Sequence, residues 1–194
     1  MSEIVGVLLA AGLGTRYDPR GECLKLLQPV RKGRHAGAPV VVAAARNLRP
    51  AVGRVVAVVR PRSDPHQAQL QEQLRSEGCE VLVCDRAAEG MGTSLAHGIR
   101  ASGNASAWIV ALGDMPAIDP ATIRSVADAL RAGHTTAALA YRGRRGHPVG
   151  FSAQCQIELL QSSGDAGARA VLETFPPHLI DVDDDGILID IDFR

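Results

Sequence analysis

Residues 5–27, VGVLLAAGLGTRYDPRGECLKLL, decide how this chain is read. The run from Val5 to Ala11 is apolar without alternation and ends in a Gly-rich break, the pattern of a strand buried on both faces. The break, Ala10-Ala11-Gly12-Leu13-Gly14-Thr15-Arg16, carries small residues where a backbone must turn sharply and let a ligand come close. Arg16 and Lys25 place two cations on the same loop. A strand that opens into free N–H groups and cations suits a polyphosphate. Two common phosphate loops do not fit. Tyr17 stands where a dinucleotide fingerprint needs its third glycine, and the Gly-Lys-Ser/Thr end of a P-loop is absent.

Outward from this stretch, apolar runs alternate with helical patterns. Gln28 to Ala38 is polar and turn-rich and reads as a basic surface hairpin, with Arg31, Lys32, Arg34 and His35 within conceivable reach of a phosphate. Pro39 opens a helix to about Leu48, at a position where its missing N–H costs nothing. Val55 to Val59 is a second strand, Asp64 to Glu77 a helix ended by Gly78, and Glu80 to Cys84 a third strand. Thr93 or Ser94 is expected to cap a helix running to about Ala101. Trp108 to Leu112 is a fourth buried strand, which Gly113-Asp114-Met115-Pro116 ends with a carboxylate at the rim. Asp119-Pro120 caps and opens a helix to Arg131; Ala137 to Tyr141 is a fifth strand; Arg142 to Gly146 is a hairpin turn before extended His147 to Phe151. Asp165 is expected to cap a short helix carrying Arg169. In the tail, Asp183-Asp184-Asp185-Gly186 lacks EF-hand spacing and reads as a solvated turn, and Asp190 and Asp192 alternate so as to share one strand face. The sum is an α/β fold, a Rossmann-like three-layer sandwich with a mostly parallel central sheet, formed by one domain over residues 1–194.

Composition narrows the function classes. Aromatics are only 3% and formal net charge is zero, so neither stacking platforms nor a basic surface for nucleic acid is expected. There is no apolar run of membrane-spanning length and no signal-peptide pattern after MSEIV, so a cytoplasmic protein is expected, with no membrane partner. The four cysteines, Cys23, Cys79, Cys84 and Cys155, contain no CxxC pair and read as reduced, mostly core residues.

Five segments in order, LAAGxGxR with its following Lys-Leu, GMGTSL, GDMP, GHPVGF and GDAGAR, together resemble the nucleotidyltransferases with a MobA-like NTP transferase domain. Within that group the chain looks most like the molybdenum cofactor cytidylyltransferases. The resemblance covers nearly the whole chain and implies a fold like that of the nucleotide-diphospho-sugar transferases. It places Leu9, Ala10, Ala11, Gly12, Gly14, Arg16, Lys25, Gly92 and Ser94 at the nucleotide, and gives Arg16, Lys25 and Asp114 the catalytic work. It assigns Mg²⁺ to Asp114 and Asp192, and the acceptor to His147, Asp165 and Arg169. The implied reaction is transfer of CMP from CTP to the phosphate of molybdopterin or the molybdenum cofactor with release of pyrophosphate, the product passing to a molybdenum hydroxylase. A phosphomonoester is mostly ionised near neutrality, its second pKa being about 6, so no general base is required. The choice of CTP rests on Ala11, where guanylyl-transferring relatives tend to have glycine. Two other readings stay open: transfer to another phosphorylated acceptor, such as a sugar or isoprenoid precursor, and a non-catalytic carrier or insertion chaperone for the molybdenum cofactor.

Overall fold

The structure, a computed structural model, describes residues 3–12, 14, 17, 23–62 and 65–191. Arg16, Asp64 and Asp192 lie outside the described residues. The strands are β1 (Ile4–Leu9), β2 (Arg54–Val59), β3 (Glu80–Val83), β4 (Ala107–Leu112), β5 (Thr136–Tyr141), β6 (Arg144–Ser152) and β7 (His178–Asp181). They form one sheet in the order β3-β2-β1-β4-β6-β5-β7. β1 pairs in parallel with β2 and β4, β2 with β3, and β5 with β7. β6 runs antiparallel between β4 and β5. The helices are α1 (Val40–Leu48), α2 (Pro65–Ser76), α3 (Met91–Ala101), α4 (Pro120–Arg131), α5 (Gln156–Leu160) and α6 (Arg169–Thr174).

Side chains on a strand alternate between faces, so a strand apolar at every position must be covered twice. β1 does this: Ile4 and Leu8 join the core under α1, α2 and α4, whereas Val5 and Val7 join the core under α3, α5 and α6. Leu70 and Leu74 of α2 and Ile123 and Val126 of α4 fill the first core; Leu95 and Ile99 of α3 and Leu159 of α5 fill the second. Trp108 is fully buried in the second core, and its indole N–H donates to Ser102 Oγ at 2.7 Å, which satisfies the one polar atom it carries inside.

Most predicted elements lie within one or two residues of their observed bounds; the start of α3, Asp165, the hairpin turn, the acidic tail and β7 differ. α3 begins at Met91 with Gly90 as N-cap, so Thr93 and Ser94 sit inside the helix and cap nothing. Asp165 is not a helix cap either: α6 starts at Arg169 after Ala168, with no side-chain cap. The hairpin turn is shorter than expected. Only Arg142 (φ 49°) and Gly143 (φ 77°) turn, both in the left-handed region that two-residue hairpins require, and β6 starts at Arg144. In the tail, Asp184 is no solvated turn residue. Its Oδ2 accepts from Asp119 N at 2.9 Å and its Oδ1 from Gly186 N at 3.0 Å, tying the tail to the start of α4. Asp190 and Ile191 form no strand; Ile191 N donates to the carbonyl of Asp114 at 3.0 Å. The edge strand β7 was not predicted, because HLID is short and Leu179 is 53% exposed, leaving no burial pattern to read.

Candidate active site

The chain leaves β1 toward β2 on one side, and β4 lies on the other, so the carboxyl ends of β1 and β4 flank the point where strand order reverses. Open α/β sheets bind ligands at such a crevice. Leu9 pairs with Leu112 at the strand ends, and Gly113 N donates to Leu9 O at 2.9 Å, holding the two rims side by side. The Gly113–Pro116 rim is anchored again from α1, where buried Asn47 donates from Nδ2 to Pro116 O at 2.9 Å.

A cleft of about 560 Å³ opens there. Leu9, Ala10, Ala11, Gly12, Gly14 and Lys25 line it from the first loop, Ser94 from α3, and Asp114 from the end of β4. These eight are sequence-predicted site residues, and the structure brings them together in one cleft. At its charged end, Lys25 Nζ donates to Asp114 Oδ2 at 2.8 Å, with the side chains only 11% and 23% exposed. A second part of the lining, its apolar end, is small: Ala87, Ala88, Gly90 and Met91, with Asp165 against Gly90. Gly92 follows in the first turn of α3.

A second depression of about 280 Å³ adjoins the first, sharing Leu112 and Asp190 with it. Its lining includes Met115, Arg145, His147, Ile187 and Leu188. Burial pushes the His147 pKa down, and the nearby Asp114 carboxylate only partly offsets this. His147 Nδ1 is enclosed and makes no hydrogen bond, an unmet polar valence at the floor of the depression. Arg169 is exposed at the start of α6 and lines neither depression.

None of Arg31, Lys32, Arg34 and His35 of the basic hairpin lines either depression. The hairpin chain pairs Pro29 with Pro39, Arg34 bonds Asp119 at 2.8 Å, and His35 Nε2 lies 2.8 Å from Asn47 Oδ1. Cys79 and Cys155 are buried, which pushes both thiols up to about 11.

Sequence reasoning missed Tyr17, Ala87, Ala88, Met91, Arg145 and Asp190 as lining residues. Asp190 had a usable signal, since it stands two places before Asp192 in the same acidic segment. The alanines and Met91 had none, because a small or apolar side chain beside a glycine reads equally well as a turn.

The apolar end is built by a close backbone approach. A Cβ on Gly92 would stand 2.6 Å from Ser163 O, and one on Gly90 (φ 122°) would overlap the Gly164 carbonyl and come within 2.7 Å of Asp165 Oδ1. Only glycine admits this contact. Gly92→Ala is therefore expected to cost about 1–3 kcal/mol through overpacking. At about 2–4 °C per kcal/mol for a chain of this size, calorimetry should show a clear fall in Tm. An unchanged Tm would mean that the 163–167 segment yields freely.

Could a divalent cation be held here? Among the described residues no group of three or more His, Cys, Asp or Glu could hold a metal. The Lys25 ammonium on Asp114 nevertheless marks a position that accepts positive charge, and Asp190 adds a second carboxylate to the same cleft. One or two carboxylates completed by substrate phosphates is how Mg²⁺ is commonly bound, so the residues fit such an ion.

Residues 6–181 match the sequence model of the MobA-like NTP transferase domain. The chain belongs to that family. A MobA-like relative from Paenarthrobacter nicotinovorans, named nicotine blue oxidoreductase, is 32% identical over 97% of this chain and 92% of its own. Rv0371c from Mycobacterium tuberculosis H37Rv is 26% identical, with a TM-score of 0.78 over 99% of this chain and 93% of that one. A second structure of the mycobacterial protein, in complex with manganese, is 25% identical, with a TM-score of 0.68 over 93% and 88% of the two chains. A nucleotidyl transferase from Methanothermobacter, 24% identical with a TM-score of 0.79 over 98% and 92%, shares the fold. The MobA-like family supports nucleotidyl transfer from a nucleoside triphosphate as the general chemistry of this chain. Among the described residues, no helix is long and apolar enough to cross a membrane.

Proposed function

We propose that this protein transfers CMP from CTP to the phosphate of molybdopterin or the molybdenum cofactor, releasing pyrophosphate. The observation that carries the reading is the Lys25–Asp114 pair in a nucleotide-sized cleft that shares Leu112 and Asp190 with a smaller depression beside it. CTP lies in the larger cleft, with its triphosphate at the charged end and its base at the apolar end. Backbone N–H groups of Gly12 and Gly14 and the Lys25 ammonium hold the triphosphate; Arg16 joins them by its motif position. The acceptor enters from the depression lined by Arg145 and His147. An acceptor phosphate oxygen forms a bond to the α-phosphorus, the bond from that phosphorus to the bridging oxygen breaks, and pyrophosphate leaves. Catalysis rests on position and charge neutralisation. Asp114, with Asp190 and the motif-assigned Asp192, would hold Mg²⁺ or Mn²⁺, which when bound supplies positive charge to the phosphate oxygens. The manganese complex of the mycobacterial relative supports a divalent ion.

The test is pyrophosphate release from CTP, GTP and ATP with molybdenum cofactor supplied. Release only with CTP is expected; release only with a sugar or isoprenoid-precursor phosphate moves the acceptor, and no release with any acceptor leaves a carrier. The product would pass to a molybdenum hydroxylase, in the cytoplasm.

Base choice gives a second measurement. Ala11 is buried at the cleft wall, and its methyl narrows the space available to a base. Ala11→Gly is expected to raise the share of GTP used in competition with CTP several-fold, with stability little changed. A wild-type protein that already prefers GTP sinks the small-pocket argument.

The nicotine blue oxidoreductase relative favours a second reading, a redox reaction in the same cleft. It requires nicotine blue turnover with a two-electron donor such as a reduced nicotinamide cofactor supplied and no nucleoside triphosphate present, the donor being oxidised as the dye is reduced. Absorbance of the dye and pyrophosphate release, measured on one preparation, separate the two.

A further inference from the structure

The resemblance groups Asp165 with the acceptor; the structure places it in the lining of the large cleft. Its loop lies on the backbone of Gly90 and Gly92 at the start of α3, and its side chain forms the wall of the large cleft's apolar end. It lines no part of the depression that holds Arg145 and His147. Its Oδ1 lies against Gly90, and the cleft is also lined by Ala87, Ala88, Met91 and Ser94; the other charged lining side chains among the described residues are Lys25, Asp114 and Asp190. No hydrogen bond or ion pair engages Asp165 among the described residues. A triphosphate drawn to Lys25 leaves its base at the apolar end, since an aromatic ring suits the small apolar lining and the charged phosphates do not.

We propose that Asp165 is a specificity residue for the donor base, accepting a hydrogen bond from an exocyclic amino group. The proposal rests on the donor reading of the large cleft. An ionised carboxylate accepts hydrogen bonds and donates none. It therefore favours a base edge bearing an amine, as in cytosine, over one bearing a carbonyl oxygen, as in uracil. CTP and UTP share ribose and triphosphate, and their rings differ only where the amine of cytosine and its adjoining ring nitrogen become a carbonyl and an N–H. They isolate this interaction from everything at the phosphate end. An amide at the same position donates as well as accepts and tolerates either edge. The Gly90 and Gly92 contacts give the carboxylate a fixed mount, because a loop packed on a helix backbone cannot drift without parting from it.

The experiment is calorimetric titration of the full chain and of Asp165→Asn and Asp165→Ala with CTP, UTP and inorganic tripolyphosphate, in the presence of Mn²⁺. The wild type is expected to bind CTP at least about tenfold more tightly than UTP. Asp165→Asn should bring the two within about threefold. Asp165→Ala should weaken CTP without improving UTP, and tripolyphosphate should bind all three proteins alike. Melting temperatures report whether the variants fold. If Asp165 serves only as a negative charge near the α3 N-terminus, the variants shift stability and leave the CTP-to-UTP ratio unchanged, which overturns the proposal. A wild type indifferent to CTP and UTP overturns it as well. A wild type that binds none of the three ligands overturns the donor reading itself, and this proposal with it.

Discussion

Asp114→Asn should fold, bind CTP with modest loss, and turn over at least about 100-fold more slowly, a barrier increase of about 2.7 kcal/mol. The side chain stands at the end of β4, and its backbone carbonyl is held by Ile191 N. The amide keeps the shape and this backbone anchor but removes the charge that pairs with Lys25 and would face a divalent ion. The asparagine amide oxygen can still accept from Lys25, so the variant should stay folded with a lowered Tm, and the larger loss should appear in the chemical step. Circular dichroism and steady-state pyrophosphate release separate the two quantities. A folded variant with wild-type rates would remove Asp114 from the site.

Lys25→Met is the second large effect. The ammonium is 11% exposed and points across the cleft at 2.8 Å from Asp114 Oδ2, so a triphosphate entering there meets a largely desolvated cation. Hydrogen bonds to charged groups are worth about 1.5–3 kcal/mol, so CTP affinity should fall roughly 10- to 150-fold. Turnover should fall further, because charge grows on the departing pyrophosphate. Methionine keeps the apolar stem and removes only the charge. Mn²⁺ titrated without nucleotide should bind the variant at least as tightly as wild type, since Lys25 no longer occupies the carboxylate. Unchanged CTP affinity would mean that Lys25 serves only to hold Asp114. Arg169→Met provides the contrast: exposed and outside both depressions, it should leave CTP affinity unaltered.

Both predictions depend on residues that the sequence already marks, and the reason is local. Lys25 follows a Gly-rich loop leaving a buried strand, and Asp114 is the first polar side chain after WIVAL. Each is defined by its own neighbours. Asp119 as the cap of α4 was legible on the same grounds, and its side chain does accept from Ala121 N at 2.8 Å. Misreadings cluster where two distant segments touch. The start of α3 was placed at Thr93 or Ser94 because Gly90 and Gly92 look like turn residues. They are glycines because the backbone of Ser163 and Gly164, seventy residues away, lies against them. The acidic tail suggested a strand face, but its hydrogen bonds go to Asp114 and Asp119 instead.

The sequence by itself determined the layered α/β fold, because short Val- and Ile-rich apolar runs without alternation, closed by turn residues, read as strands covered on both faces, and the helical segments between them supply the cover. It also determined the family, and it marks the proposed phosphate end of the cleft, since a strand, its Gly loop and the following lysine are contiguous. Tertiary structure alone decided the antiparallel place of β6 and the pairing of Lys25 with Asp114. It alone set Asp190 between the two depressions, Arg169 outside both, and Asp165 against Gly90. These relations join segments far apart in the chain. Their distances follow from how helices and loops settle on the sheet, which no local pattern of residues encodes.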